Sequence, residues 1–66
     1  MKPIEINPSL AAAYEARGSA RLSLGDPKGA FDDCTRAIEI DAGFAAAFVR
    51  RALARHELGD VHGAID

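Results

Sequence analysis

The sequence predicts an all-α fold made of antiparallel helix-turn-helix units. Three observations support this prediction: the apolar residues are largely alanine, apolar positions recur at helical spacing, and the chain repeats itself every 34 residues. Apolar residues make up 48% of the chain, but it contains no Trp, one Tyr and three Phe. An apolar fraction carried by alanine suits closely packed helices better than a bulky sheet core.

The internal repeat is found by aligning the chain with itself at an offset of 34 residues. Residues 11–13 and 45–47 are both Ala-Ala-Ala, and residues 24–26 and 58–60 are both Leu-Gly-Asp. Of the 29 pairs from 4/38 to 32/66, 15 are identical, whereas roughly one in ten would match by chance. Because this period is typical of a helix-turn-helix solenoid, we expect about two 34-residue units of an α-solenoid.

Two amphipathic helices are predicted in the first unit, over residues 9–24 and 27–40. Apolar residues recur at helical spacing in both: Leu10, Ala13, Tyr14, Ala20 and Leu24 in the first, and Ala30, Phe31, Cys34, Ala37 and Ile38 in the second. Between them, Gly25 can take the left-handed conformation that ends a helix, Asp26 can cap the next one, and Pro27 suits its first position.

The second unit is predicted to repeat this layout. Residues 41–43 (Asp-Ala-Gly) lead into a third helix over about residues 44–58. Gly59 and Asp60 match the first turn, so we expect the third helix to end there and a fourth to begin at Val61.

A break is also predicted ahead of the first unit. The residue before a proline avoids the α region, so Asn7 should end one helical segment before Pro8, and Ser9 can cap the next. We therefore expect a single repeat segment in which residues 1–7 end a preceding helix, residues 9–42 form one full repeat and residues 44–66 form an incomplete second repeat.

Composition narrows the classes of partner. The formal net charge is −2 and the sequence pI is about 5.5, so the chain has no broad basic field to attract nucleic acid or an anionic membrane. The single Cys34 cannot form an internal disulfide, and the N-terminal residues do not resemble a signal sequence. No window approaches the roughly 20 apolar residues that cross a bilayer. We expect a cytoplasmic protein that binds neither nucleic acid nor membranes.

The sequence resembles the tetratricopeptide repeat family, whose unit follows the pattern W-x2-L-G-x2-Y, then A-x3-F, then P. Tyr14 and Phe48 occupy its aromatic place, and Gly18 and Ala52 occupy its small place. Ala30 and Ala64 occupy the alanine place of the second helix, and Pro8 occupies the closing proline place. The chain departs from the pattern at the leucine place with Arg17 and Arg51, and at the tyrosine place with Arg21 and Arg55. Cys34 stands at the phenylalanine place, and Ala42 replaces the second closing proline. Because the arginines depart identically in both units, we interpret them as a variant of the motif, with Asp32 or Asp33 neutralising part of that helix face.

The resemblance implies a right-handed superhelix whose concave groove binds an extended peptide or a partner's helix. The groove-facing residues it implies are Ala12, Glu15, Ala16, Ser19, Leu22 and Ser23 in the first unit, and Ala46, Val49, Arg50, Leu53, His56 and Glu57 in the second. Some family members hold a C-terminal carboxylate with Lys and Asn on this face. The corresponding places here are Glu15 and Ser19, then Val49 and Leu53, which leaves Arg50 as the groove cation. We expect a protein-binding scaffold that does not bind acidic tails.

The charged and reactive residues have alternative interpretations. The cluster of Arg50, Arg51, Arg55 and His56 could recognise a carboxylate or phosphate, but an ordinary solvated face with Arg51 and Arg55 paired internally is favoured. Cys34 is expected to be a small buried hydrophobe and not a nucleophile. The sequence contains no motif for catalysis, a metal or a cofactor, so we expect no enzyme activity.

Self-assembly is the alternative function. If the last residues of one molecule stacked on the first residues of the next, the superhelix would continue almost in register. The apolar content of that end-to-end contact would be Ile4, Ile6, Ala64 and Ile65. A heterologous contact of this kind produces filaments, and exchange of a terminal helix between two chains would produce a closed homodimer.

Overall fold

The fold is all-helical. The computed structural model describes residues 7–65, and the surroundings of side chains for residues 7–59. Three helices follow one another: α1 (Pro8–Ser23), α2 (Pro27–Ile40) and α3 (Ala45–Ile65). No strand occurs within residues 7–65. The second helix packs against both of the others, whereas α1 and α3 touch over a smaller area.

The first helix begins one residue earlier than the sequence predicts. Pro8 occupies its first turn, and Asn7 rather than Ser9 is the N-cap, with its side-chain Oδ1 accepting from the Leu10 N–H at 3.1 Å. The proline explains the shift, because its fixed φ fits the first helical position while it keeps Asn7 in an extended conformation. The preceding helix predicted to end over residues 1–7 falls on residues 1–6, which lie outside the described part of the chain.

The turn between α1 and α2 forms as predicted. Gly25 has a φ of +80°, and the Asp26 N–H donates to the Arg21 carbonyl at 2.8 Å while the Gly25 N–H donates to the Leu22 carbonyl at 3.1 Å. This pair of bonds is the Schellman arrangement that satisfies the last carbonyls of a helix. Asp26 then caps α2 by accepting from the Gly29 N–H at 3.0 Å.

The predicted turn at Gly59 and Asp60 is wrong, because α3 continues to Ile65 without a break. Within the described residues only Gly25 has a positive φ among the glycines. The difference lies in the next residue. Pro27 keeps Asp26 out of the α region, whereas Val61 places no such restriction on Asp60, and a helix that continues keeps its backbone hydrogen bonds.

The core is built from small side chains. Its fully buried apolar residues are Ala11, Ala30, Cys34, Ala37, Ala47 and Ala54. The apolar face predicted on α1 is therefore not the buried one. Leu10, Ala13, Ala20 and Leu24 are exposed and Tyr14 is half-buried, whereas Ala11 and Gly18 are buried. Small residues are buried here because they let helix backbones approach, while leucine would hold the helices apart.

Helices α1 and α2 approach each other closely at Gly18. A Cβ placed on Gly18 would lie 2.8 Å from the Cys34 sulfur and 3.3 Å from the Ala30 carbonyl oxygen. Both distances are shorter than ordinary van der Waals contact. The position of α2 against α1 therefore depends on the missing side chain at residue 18.

Replacing Val61 with proline should restore the second turn. The variant recreates the Asp-Pro pair of the first turn, so α3 should end near Leu58 because a proline disfavours the α region for the residue before it. Backbone chemical shifts of residues 59–65 should lose their helical values, while those of a Val61→Ala control should keep them. Helical shifts that persist in the proline variant would contradict this explanation.

Changing Gly18 to alanine should destabilise the protein by about 1 kcal/mol. Overpacking costs about 1–3 kcal/mol, which exceeds the gain of about 1 kcal/mol in helix propensity. Adding Cys34→Ala removes the sulfur that the new Cβ meets, so the double variant should lose less stability than the sum of the single variants. Urea unfolding measures all three, and strictly additive losses would argue against this contact.

Candidate functional site

An ion pair joins α1 to α3 on the face that corresponds to the predicted groove. The Arg50 Nε donates to the Glu15 Oε1 at 3.2 Å, and Glu15 is the more buried of the two. Arg50, the cation expected in the groove, is therefore paired with Glu15. These residues are 35 positions apart, close to one repeat, so the pair links matching faces of the two units.

None of the twelve predicted groove residues is buried. Val49 is 59% exposed and Leu53 is 47% exposed, and one helical turn separates them, so they lie on one face of α3. On α1, the Ser23 hydroxyl donates to the Ser19 carbonyl at 3.3 Å. The face therefore combines exposed apolar side chains on α3 with a serine turned back onto its own helix on α1.

A second charged cluster fixes α2 on α1. Arg17 donates to Asp33 twice, with Nε to Oδ2 at 2.9 Å and Nη2 to Oδ1 at 2.7 Å. The Arg21 Nε lies 3.4 Å from the same carboxylate. This geometry confirms the hypothesis that an aspartate of α2 neutralises the arginine face, and it selects Asp33. Asp32 instead pairs with Lys28 one turn earlier, at 2.9 Å.

The buried carboxylate of Asp33 stays ionised. Hydrogen bonds from Arg17 lower the pKa of Asp33 below its usual value of 3.8, against burial, which raises it. The guanidinium of Arg17 also lies 5.5 Å from the centre of the Tyr14 ring, within the range of a cation–π contact. One guanidinium thus contacts an aromatic face and a carboxylate together.

The matching arginines of the second unit have a different environment. The guanidinium of Arg51 lies 5.4 Å from the centre of the Phe48 ring and 5.9 Å from that of Phe31. Neither Arg51 nor Arg55 makes an ion pair within residues 7–59. The expectation that these two arginines are paired internally is therefore not met in that part of the chain, because no carboxylate takes the place of Asp33 there.

A hollow of about 420 Å³ lies beside these arginines. It is lined by Phe48, Arg51, Ala52, Arg55 and His56. Sequence reasoning identified the charged members of this group but missed Phe48 and Ala52 as part of one surface. The signal that could have found them is the repeat itself, because the matching α1 residues lie against α2.

Cys34 is the largest fully buried side chain. Burial raises the pKa of its thiol, which favours the neutral form over the reactive thiolate. This agrees with its prediction as a buried hydrophobe. Within the part of the chain that the structure describes, no group of three or more His, Cys, Asp or Glu residues is placed to hold a metal ion.

The residues predicted for end-to-end stacking lie outside what the structure describes. Ile4 and Ile6 precede residue 7, and Ala64 and Ile65 belong to the part of α3 whose side chains are not described.

None of the described helices is long and apolar enough to span a membrane. No protein-family model, curated protein or solved structure matches this chain.

The ion pair of Asp33 should make stability depend on pH in acid. Because folding lowers its pKa, its contribution is present above the unfolded-state value near 3.8 and is lost as the pH falls toward the lower folded value. The free energy of unfolding of the parent chain should therefore exceed that of Asp33→Asn near neutral pH, and the gap should close below about pH 4.

Asp32→Asn is the matched control for this measurement. Its exposed pair with Lys28 is of a kind that contributes about 0.5 kcal/mol or less, so the variant should follow the parent chain closely. Chemical denaturation at a series of pH values measures all three proteins. A gap between the parent chain and Asp33→Asn that stays constant down to pH 2 would contradict the assignment.

Proposed function

We propose that the chain is a tetratricopeptide-type repeat segment that acts as a protein-binding scaffold, taking a peptide or a helix of a partner on the α1–α3 face. The 34-residue period, the capped turn at Gly25 and the packing of α2 between α1 and α3 support the repeat assignment. A cytoplasmic location belongs to the proposal, because Cys34 is a buried thiol without a disulfide partner and such cysteines are typical of reducing compartments.

The exposure of Val49 and Leu53 is the observation that carries this proposal. Two large apolar side chains are half exposed on one face of α3, and contiguous apolar surface on a small protein often marks an interaction site. The alanines of the α1–α3 face are exposed as well: Ala12 and Ala16 on α1, and Ala46 on α3. Their small size leaves room for ligand side chains above the helix backbones.

The ion pair between Glu15 and Arg50 favours one class of ligand over another. Because the carboxylate of Glu15 already lies against Arg50, capture of an acidic tail would bring a second negative charge beside it. A ligand with apolar side chains over Val49 and Leu53 buries apolar area without that cost. The proposed ligand is therefore an apolar or amphipathic segment, and not a C-terminal carboxylate.

Self-assembly remains the alternative proposal from the sequence. Its contact residues, Ile4, Ile6, Ala64 and Ile65, are those whose side chains the structure does not describe, and no other contact within residues 7–59 favours it over partner binding. Sedimentation over a range of concentrations separates the two proposals. Association that Ile4→Asp and Ile65→Asp abolish would favour self-assembly.

Peptide selection with paired leucine variants tests the scaffold proposal. Peptides selected from a displayed random library against the chain should lose at least about tenfold in affinity on Leu53→Glu, because a charge replaces buried apolar contact. Leu24→Glu is the matched control, since Leu24 is 82% exposed and lies at the end of α1. It should leave affinity unchanged, as measured by fluorescence anisotropy.

Two results would contradict the proposal. Equal loss in both variants, or no loss in either, would mean that the selected peptides do not use the α1–α3 face. Circular dichroism of both variants checks that the helices are intact. Arg50 is left unchanged, because its substitution would also remove the ion pair that joins α1 to α3.

A further inference from the structure

The same surface exists twice in this protein, and the first copy is more covered than the second. On α1 it consists of Tyr14, Arg17, Gly18 and Arg21, and on α3 the residues 34 positions later are Phe48, Arg51, Ala52 and Arg55. The four α3 residues are called the α3 arginine face below. Helical spacing places these four together, on a different face from Val49 and Leu53.

The α1 copy is partly covered by α2, although the side chain of Arg17 stays 56% exposed. Gly18 is buried there, and Asp33 of α2 lies between the two arginines, which it contacts at 2.7 Å and 3.4 Å. The α3 arginine face is more open at three of its four residues, since Ala52 and Arg55 are exposed and Phe48 is 41% exposed, whereas Arg51 is half-buried. Because α3 runs unbroken to Ile65, the described backbone does not fold back across it.

The positive charge of the α3 arginine face attracts a carboxylate. Within residues 7–59 no carboxylate pairs with Arg51 or Arg55. The guanidinium of Arg51 already lies over the Phe48 ring at 5.4 Å, as that of Arg17 lies over Tyr14 at 5.5 Å. Arg17 holds this position while it binds Asp33, so the same stacking leaves Arg51 able to bind a carboxylate.

The methyl group of Ala52 restricts which helix can dock. On α1 a Cβ at residue 18 would lie 2.8 Å from the Cys34 sulfur, and Ala52 carries such a Cβ at the matching place. A helix that approached α3 as closely as α2 approaches α1 could not carry cysteine there. Alanine or glycine at that place removes the shorter of the two conflicts, and a shift of a few tenths of an ångström relieves the 3.3 Å approach to the backbone carbonyl. The α2 helix of a second copy carries the cysteine and fits less well.

We propose that the α3 arginine face is a docking site for an amphipathic helix of another protein, in which an aspartate is followed directly by alanine or glycine. The aspartate would pair with Arg51 and Arg55, as Asp33 pairs with Arg17 through two hydrogen bonds and with Arg21 at 3.4 Å. A small residue three positions before the aspartate, at the place of Ala30, would lie near Ala52. This site is separate from the α1–α3 face and does not depend on its function.

A peptide copied from α2 provides the probe. It spans residues 26–41 with Cys34→Ala, and a lactam between Lys28 and Asp32 holds it helical, since these side chains already meet across one turn on the exposed side of α2. Fluorescence anisotropy should show saturable binding to the full chain. Asp33→Asn in the peptide and Arg55→Gln in the chain should each weaken it by about tenfold.

Combining these two changes separates a direct contact from a general loss of charge. If the aspartate contacts Arg55, the double change should cost less than the sum of the two single changes. Arg36→Gln, an exposed arginine of α2, is the control in the chain and should have no effect. If the peptide instead took the place of α2 against α1, its binding would depend on Arg21 and not on Arg55. That result would contradict the proposal.

A reciprocal swap tests the steric part. The peptide that keeps cysteine at position 34 should bind the parent chain about tenfold more weakly than the alanine peptide, because its sulfur meets the Cβ of Ala52. Ala52→Gly should restore its binding. Ala46→Gly, on another face of α3, carries the same cost in helix propensity and should restore nothing.

These measurements decide the proposal in either direction. No saturable binding of the alanine peptide, binding that ignores both Asp33→Asn and Arg55→Gln, or equal rescue by Ala52→Gly and Ala46→Gly would overturn it. Leu53→Glu should leave this binding intact, so failure here is distinguishable from failure of the proposed groove.

Discussion

The close approach of α1 and α2 at Gly18 is the constraint on which the rest of the structure depends. With no side chain at residue 18, the Cys34 sulfur and the Ala30 carbonyl lie where a Cβ would otherwise be. This approach brings the carboxylate of Asp33 within reach of Arg17. The ion pair then offsets the cost of burying Asp33, because a buried charge without partners is strongly unfavourable.

The local structure could be predicted from the sequence where a backbone constraint is explicit. Gly25, Asp26 and Pro27 each restrict the chain in a way that does not depend on distant contacts, and the first turn forms as they predict. Gly59 and Asp60 repeat only part of that signal. A glycine permits a helix to end but does not require it, so without a proline after Asp60 the helix continues.

The contacts between helices were harder to predict, and the reason is size. Spacing rules weight leucine and aromatic residues, whereas the surfaces that meet here are alanine, glycine and cysteine. The partner of Arg17 could be narrowed to two aspartates, because they lie on the adjacent helix. The pair of Glu15 and Arg50 could not be predicted, because it depends on how two helices of different units lie side by side.

Each unit contains the same pair of arginines, Arg17 with Arg21 in the first and Arg51 with Arg55 in the second. The two pairs have different surroundings and therefore different roles. In the first unit the pair is used inside the fold, where Gly18 permits α2 to bring its carboxylate between them. In the second unit the residue at the matching place is Ala52, and the guanidinium of Arg51 lies over Phe31 and Phe48 instead. The preference of the arginines for a carboxylate is common to both units, because it belongs to the guanidinium group. What differs is how near a helix can come, and one methyl group changes that distance.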